Sequence, residues 1–328
     1  MKTKPRNIPL RFILITIWIL SACSSASINS TPMEDNISPL LTTETITSQS
    51  PIQLTDGLGR QIIVIIPVQR VVSLAPSNTE ILFAIGAGPQ IVGRDAFSDF
   101  PAEAANVNVV SGDFGELNTE VILAQKPDLV LASSLTPPEQ ISALEDLGLG
   151  VFVLADPTDF NGMYNNVLLT AKMTGHEQEA KVLIENLKMR VSAVEEKVTS
   201  IEKRPLVFYE LDGTDPNAPW TSGPGTFVDT LILMAGGENL GNSLTSAWAQ
   251  ISIEELIQRN PDIILLGSAH WGGVTLEEVK ARTGWDALDA IRNENLFAFD
   301  DNLVSRPGPR LVEGLETMAK LLHPELFR

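Results

Sequence analysis

Two stretches of the chain carry the same pattern 134 positions apart, and together they restrict the fold more than any other feature. In the first, Glu120 is followed seven positions later by Pro127-Asp128 and then by an apolar run at 129–132. In the second, Glu254 is followed at the same spacing by Pro261-Asp262 and an apolar run at 263–266. Proline disfavours helical geometry in the residue before it, so Lys126 and Asn260 are expected to end two short amphipathic helices. Each apolar run has the length and flanks of a strand buried on both faces, the kind found in parallel sheets. A helix-to-strand unit used twice implies two similar lobes.

Length and composition agree with that reading. The 328 residues are long for one compact domain and comfortable for two. A formal net charge of −18 speaks against a nucleic-acid partner, because phosphate binding needs a basic face. At the N-terminus Lys2, Lys4, Arg6 and Arg11 precede an apolar run from Phe12 to Leu20. That run is too short to span a bilayer and reads as an export signal. The Leu20-Ser21-Ala22-Cys23 sequence that follows resembles the lipobox of bacterial lipoproteins, which makes Cys23 the expected lipidation site. Cys23 is the only cysteine, so no internal disulfide can form. Residues 24–50 are rich in Ser and Thr and contain no Lys or Arg, a composition that cannot offset its own ordering entropy. They read as a tether with a reach of roughly 30 Å.

The remainder divides into a first lobe at 52–156, connecting helices at 157–203 and a second lobe at 204–328; residues 1–22 are the signal and 23–51 the anchor and tether. In the first lobe a hairpin turning at Asp56-Gly57 precedes buried strands and amphipathic helices in alternation, with either Ser77 or Asn78 capping the helix after the Val71–Leu74 strand. Alternation of this kind implies an α/β fold: two lobes, each with a central, mainly parallel sheet flanked by helices. Apolar residues at 180, 183, 184, 187, 191, 194, 198 and 201 have helical spacing and predict one long helix joining the lobes. A stiff joint of this type predicts small relative motion.

In such sheets ligands bind at the carboxyl ends of the strands. That rule nominates Pro76, Ser77, Asn78, Phe97, residues 113–115 including Phe114, Ser133, Ser134 and Asp156 in the first lobe. In the second it nominates Tyr209, Trp220, Trp271 and Arg306, with Trp248 on the loop leading into the repeat. The aromatic surface and Arg306, with Arg94 as a second cation, suit a large, partly apolar molecule with an acidic edge. No catalytic constellation is present. His176, His270 and His323 lack metal-ligand spacing, and His176 and His323 read as solvated. Gly86-Ala87-Gly88 ends a helix instead of opening one and is no dinucleotide fingerprint.

The 71–80 stretch beginning at Val71, the repeated Glu-to-Pro-Asp unit and the 235–239 stretch Ala-Gly-Gly-Glu-Asn together resemble the cobalamin and iron-siderophore (class III) family of substrate-binding proteins. The resemblance spans about residues 68–322. It implies capture of a ligand and delivery to the permease and ATPase of an ABC importer, with no chemistry, no cofactor and a monomeric working unit. It implies that Glu120 and Glu254 pair with arginines of the permease, Glu255 being the alternative in the second lobe. It implies cleft aromatics at Phe97, Phe114, Trp248 and Trp220, whereas Ser133 stands where the cobalamin branch has a tryptophan. The ligand implied is a corrinoid such as cobalamin, with a ferric siderophore or haem as alternatives. An extracytoplasmic sensor would need a further membrane segment, a nitrogenase-like enzyme several cysteines, and a zinc or manganese binder a cluster of His and acids. None of these is found in the sequence.

Overall fold

The computed structural model describes residues 50–112 and 115–328; the signal, Cys23, most of the tether and Phe114 lie outside the described residues. β1 (Ser50–Thr55) and β2 (Gln61–Ile66) form the expected hairpin. Its turn is held by Asp56, whose Oδ1 accepts from Leu58 N at 3.0 Å and Arg60 N at 2.9 Å.

The first lobe is built on β3 (Val71–Ser73), β4 (Ile91–Arg94), β5 (Leu129–Ser133) and β6 (Val151–Leu154), in the order β4-β3-β5-β6 and all parallel. The second lobe contains β7 (Leu206–Asp212), β8 (Trp220–Ser222), β9 (Glu238–Asn239), β10 (Trp248–Gln250), β11 (Ile263–Leu266) and β12 (Leu296–Ala298). Here β9, β7, β11 and β12 are parallel, while β8 and β10 add an antiparallel edge. That edge departs from the sequence reading, in which Trp220 follows a strand end and Trp248 lies on a loop. Strands of three residues among Pro and Gly carry no period long enough to detect.

The repeated unit folds as expected and explains itself. Helices Thr119–Ala124 and Ile253–Arg259 end ahead of Lys126 and Asn260, which take positive φ of 48° and 51°. The two aspartates then do the same work. Asp128 Oδ2 accepts from Gln69 N and Arg70 N at 3.0 and 2.9 Å, tying β5 to the start of β3. Asp262 Oδ2 accepts from Leu206 N at 2.8 Å, tying β11 to the start of β7. In each lobe the Pro-Asp sets the register of the central strand pair.

Two helices join the lobes, Phe160–Thr174 and Glu177–Val198, separated by Gly175 at φ +83°. The second is 22 residues long, about 33 Å at 1.5 Å per residue. Its buried face, with Ile184, Leu187, Val191 and Val194, belongs to one continuous core that includes Ile81 and Phe152 of the first lobe and Phe227 and Leu315 of the second. The Arg190 guanidinium also bonds Glu316 twice, at 2.9 and 2.8 Å. Shared packing of this extent resists independent movement of the lobes.

Two local expectations are corrected. Neither Ser77 nor Asn78 caps the Pro76–Ala84 helix, because Pro76 takes its first position and moves the cap to Ala75. Asn78 instead donates to the Leu131 and Ala132 carbonyls at 3.2 and 3.0 Å, fastening the helix to β5. His323 is buried, 5% exposed, with Nε2 3.1 Å from the Gly236 carbonyl oxygen. A proline after it hid that packing.

Candidate functional site

A cavity of about 1020 Å³ lies between the lobes. The first lobe contributes the end of every strand of its sheet: Ala75 to Asn78 after β3, Asp95 and Phe97 after β4, Ser133 to Pro137 after β5, and Ala155 to Thr158 after β6. This is the crevice that the topology of an open parallel sheet creates. The second lobe supplies the start of the Phe227–Met234 helix, Trp248 and the segment from Asn302 to Pro307.

Of the residues nominated from sequence, Pro76 to Asn78, Phe97, Gly115, Ser133, Ser134, Asp156, Trp248 and Arg306 line this cavity. Phe97 and Trp248 face it from opposite lobes and are 51% and 47% exposed, and Leu135 at the rim is 80% exposed. Apolar side chains left this open around a concavity mark a contact surface for an apolar ligand. The loop carrying Phe97 is fixed from below. Asp95 is buried, accepts from Phe97 N at 2.8 Å and from Ser98 Oγ, and has its carboxyl pushed up by that burial.

Three nominated aromatics do not reach the cavity. Tyr209 is wholly buried; its hydroxyl donates to Asp301 Oδ1 at 2.5 Å and its ring meets Phe299 edge-on. Burial and the Asp301 carboxylate push its phenol well above the ordinary range. β7 runs three residues beyond Tyr209, to Asp212, so Tyr209 lies mid-strand in the core and not at the strand's end. Trp220 pairs with Gln250 at the far end of β8, whereas Trp248 pairs with Ser222 beside the turn that enters the cavity. Trp271 lies on the helix Ser268–Trp271, exposed and outside the cavity wall. His270, next to it, has Nε2 2.6 Å from Asn302 Nδ2 and does not line the cavity.

The expected cations are committed elsewhere. Arg94 donates to the Ala104 and Asp95 carbonyls at 2.8 and 3.0 Å within its own lobe. Arg306 is paired with Asp99 and lies 3.8 Å from Glu80. Glu80 is 3% exposed and accepts two bonds from Arg310, at 3.0 and 2.5 Å, while that guanidinium stacks 4.0 Å from the Phe100 ring centre. Burial raises the Glu80 carboxyl although Arg310 and Arg306 pull it down. Glu80, Asp99 and Phe100 belong to the first lobe, and Arg306 and Arg310 to the second. This ion network therefore clasps the lobes together at one side of the cavity, and no local pattern in the sequence discloses it.

The two repeated glutamates occupy matching places. Asn118 caps one helix, accepting from Val121 N at 3.1 Å, and Ser252 caps the other, accepting from Glu255 N at 3.2 Å. Glu120 and Glu254 are each the second residue of their capped helix, and both are exposed. Glu255 is tied to Arg259 at 2.7 Å. Among the described residues no cluster of three His, Cys, Asp or Glu could hold a metal ion.

A chain with two α/β lobes, a rigid joint and a ligand-sized cleft is a substrate-binding protein in architecture. Comparison with known proteins agrees: the periplasmic binding protein family matches residues 71–303, and this chain belongs to it. An uncharacterized ABC transporter substrate-binding lipoprotein of Bacillus subtilis (strain 168) is 31% identical over 283 residues, covering 85% of this chain and 87% of that one. A cobalamin-binding protein of Halobacterium salinarum is 29% identical over 267 residues, covering 78% and 69%. The crystal structure of a possible iron-binding periplasmic protein from Staphylococcus epidermidis superposes with a TM-score of 0.69 at 30% identity, covering 78% and 99%. As a member of the family the chain is an extracytoplasmic substrate carrier that works with an ABC importer, and not an enzyme.

Proposed function

We propose that this protein captures a corrinoid, or a metal chelate of similar bulk, and delivers it to the permease and ATPase of its importer. The observation that carries this reading is the cavity itself. Its volume of about 1020 Å³ is at the upper end for small-molecule sites, and Phe97 and Trp248 oppose one another across it. A broad, flat ligand with apolar faces would fill such a space. Similarity to a cobalamin-binding relative supports the corrinoid, and similarity to an iron-binding one supports a ferric siderophore or haem as the second reading. Titration of the purified protein with cyanocobalamin, haemin and ferric siderophores tests it; stabilisation by none of them overturns the ligand class.

Delivery is assigned to Glu120 and Glu254. Their equivalent positions on two capped helices, and the engagement of Glu255 by Arg259, support this pair over the alternative. Exposed ion pairs contribute about 0–1 kcal/mol each, so the pair would steer and register the docking more than tighten it. Lysine at both positions should abolish uptake and leave ligand affinity unchanged. The protein acts as a monomer, held to the outer face of the membrane by lipid on Cys23; radiolabelled fatty acid should be lost with Cys23→Ser.

A further inference from the structure

The charges lining the cavity are unequally satisfied. Asp95 is bonded to its own loop, and Arg306 has its charge matched by Asp99 and Glu80. Asp156 is different. It lines the cavity directly after β6 and, among the described residues, has neither a hydrogen-bond nor an ion-pair partner. Asp156 is open to solvent on one side, and its partial enclosure by the cavity wall pushes its carboxyl up with no cation to offset it. Its backbone is nevertheless well fixed. The Ala155 carbonyl accepts from Asn166 Nδ2 at 2.8 Å, and the Thr158 carbonyl accepts from Thr230 of the other lobe at 3.0 Å.

A bulky ligand entering the cleft would displace the water that now solvates this carboxylate. An ionised carboxylate stripped of water and left unpaired is strongly unfavourable, and an anionic group beside it worsens matters. The cleft therefore favours a ligand that brings its own donors to that point. The chain's net charge of −18 adds a long-range term of the same sign.

We propose that Asp156 is a specificity-determining acceptor, reading N–H donors on the rim of the ligand and rejecting chelates whose rim is carboxylate or otherwise anionic. This inference rests on the reading of the cavity as the site for a bulky chelate, and it selects within that class: an amide-rimmed macrocycle is admitted, a carboxylate-rimmed porphyrin or an anionic tris-catecholate iron complex is not.

The test is isothermal titration of the full-length protein and its Asp156→Asn and Asp156→Ala variants. The probes are cyanocobalamin, a monocarboxylate derivative made by hydrolysing one of its rim amides, and haemin. Circular dichroism confirms that each variant is folded. The wild type is expected to bind cyanocobalamin at least tenfold more tightly than haemin. Asp156→Ala should lose about tenfold or more in cyanocobalamin affinity, the effect of deleting a charged acceptor. Asp156→Asn should keep cyanocobalamin within a few-fold, because its carbonyl still accepts, while gaining about tenfold or more for one of the carboxylate-bearing probes. If the wild type binds cyanocobalamin and both variants match it on every probe, the role of Asp156 is overturned and the cavity reading stands. If the wild type binds haemin more tightly, or binds no probe, the proposal is overturned together with the corrinoid reading.

Discussion

Replacing Arg310 by Met tests whether the ion network between the lobes is a structural clasp. Glu80 has a side chain 2% exposed and receives two of its bonds from Arg310, itself 15% exposed at the side chain. Removing one partner of a buried pair costs about 3–5 kcal/mol, because the remaining charge is stranded. Arg306, 3.8 Å from the same carboxylate, compensates in part, so about 3 kcal/mol is expected. For a body of this size that lowers Tm by roughly 5 °C. The pH dependence identifies the cause. Burial already raises the Glu80 carboxyl in the folded protein, and loss of Arg310 raises it further. A carboxyl raised on folding favours the native state below its ordinary range, and that contribution is lost as pH rises through the folded value. The Arg310→Met penalty should therefore be largest at pH 7 and shrink towards pH 5. Differential scanning calorimetry at the two pH values reads both effects. A second variant, Glu80→Leu with Arg310→Met, should recover most of the stability, since a buried pair replaced by apolar groups is often neutral. An equal loss at both pH values, or no loss at pH 7, would refute the reasoning.

Other outcomes follow from single contacts. Trp248→Ala should weaken ligand binding by roughly 30-fold, as for a central aromatic anchor, with Tm of the free protein unchanged, measured by titration and calorimetry. Arg282→Met should destabilise by about 3–5 kcal/mol in urea unfolding, because Glu210, fully buried, pairs with Arg282 and keeps only Ser268 at 2.9 Å without it. Glu255→Lys alone should leave uptake intact, whereas Glu254→Lys should impair it, since only Glu255 is held by its own helix.

The first lobe was legible because its chain order alternates strand and helix without interruption. Once four buried strands are recognised in such a chain, the strand-end rule places Pro76, Ser77, Phe97 and Ser133 without further information. The second lobe follows the same rule less closely. β7 continues past Tyr209 to Asp212, so Tyr209 is enclosed mid-strand, and Trp248 enters the cavity from the antiparallel edge strand β10. Arg306 was legible as a cavity residue but not as an occupied one. Its partners Glu80 and Asp99 lie more than 200 positions away, and long-range pairing of charges leaves no local pattern. His323 illustrates the same limit, since only tertiary packing against Gly236 decides its burial.

The repeated unit gives a sharper test of how far local pattern determines structure, because at the turn its two copies share a backbone shape but not a residue. Lys126 and Asn260 both hold positive φ immediately before Pro-Asp. For an L-residue with an ordinary side chain that conformation costs about 1–2 kcal/mol, whereas Asn, which bonds locally, adopts it more readily. Asn260 has a further reason to be there: its Nδ2 donates to Asp289 and its Oδ1 accepts from Asp289 N at 2.8 Å. Among the described residues the Lys126 side chain makes no such bond; only its backbone is used, the carbonyl accepting from Arg70 at 3.0 Å and the N–H donating to the Leu123 carbonyl at 2.9 Å. Glycine keeps that carbonyl and removes the strain, at an unfolded-state penalty of about 0.4–1 kcal/mol. Lys126→Gly should therefore stabilise the protein by roughly 0.5 kcal/mol, while the same change at Asn260 should destabilise it through the lost bonds to Asp289. Urea unfolding of the two variants side by side decides the point. Equal effects of the same sign would mean that the backbone shape alone, and not the side chain chosen to fit it, fixes where each copy of the unit turns.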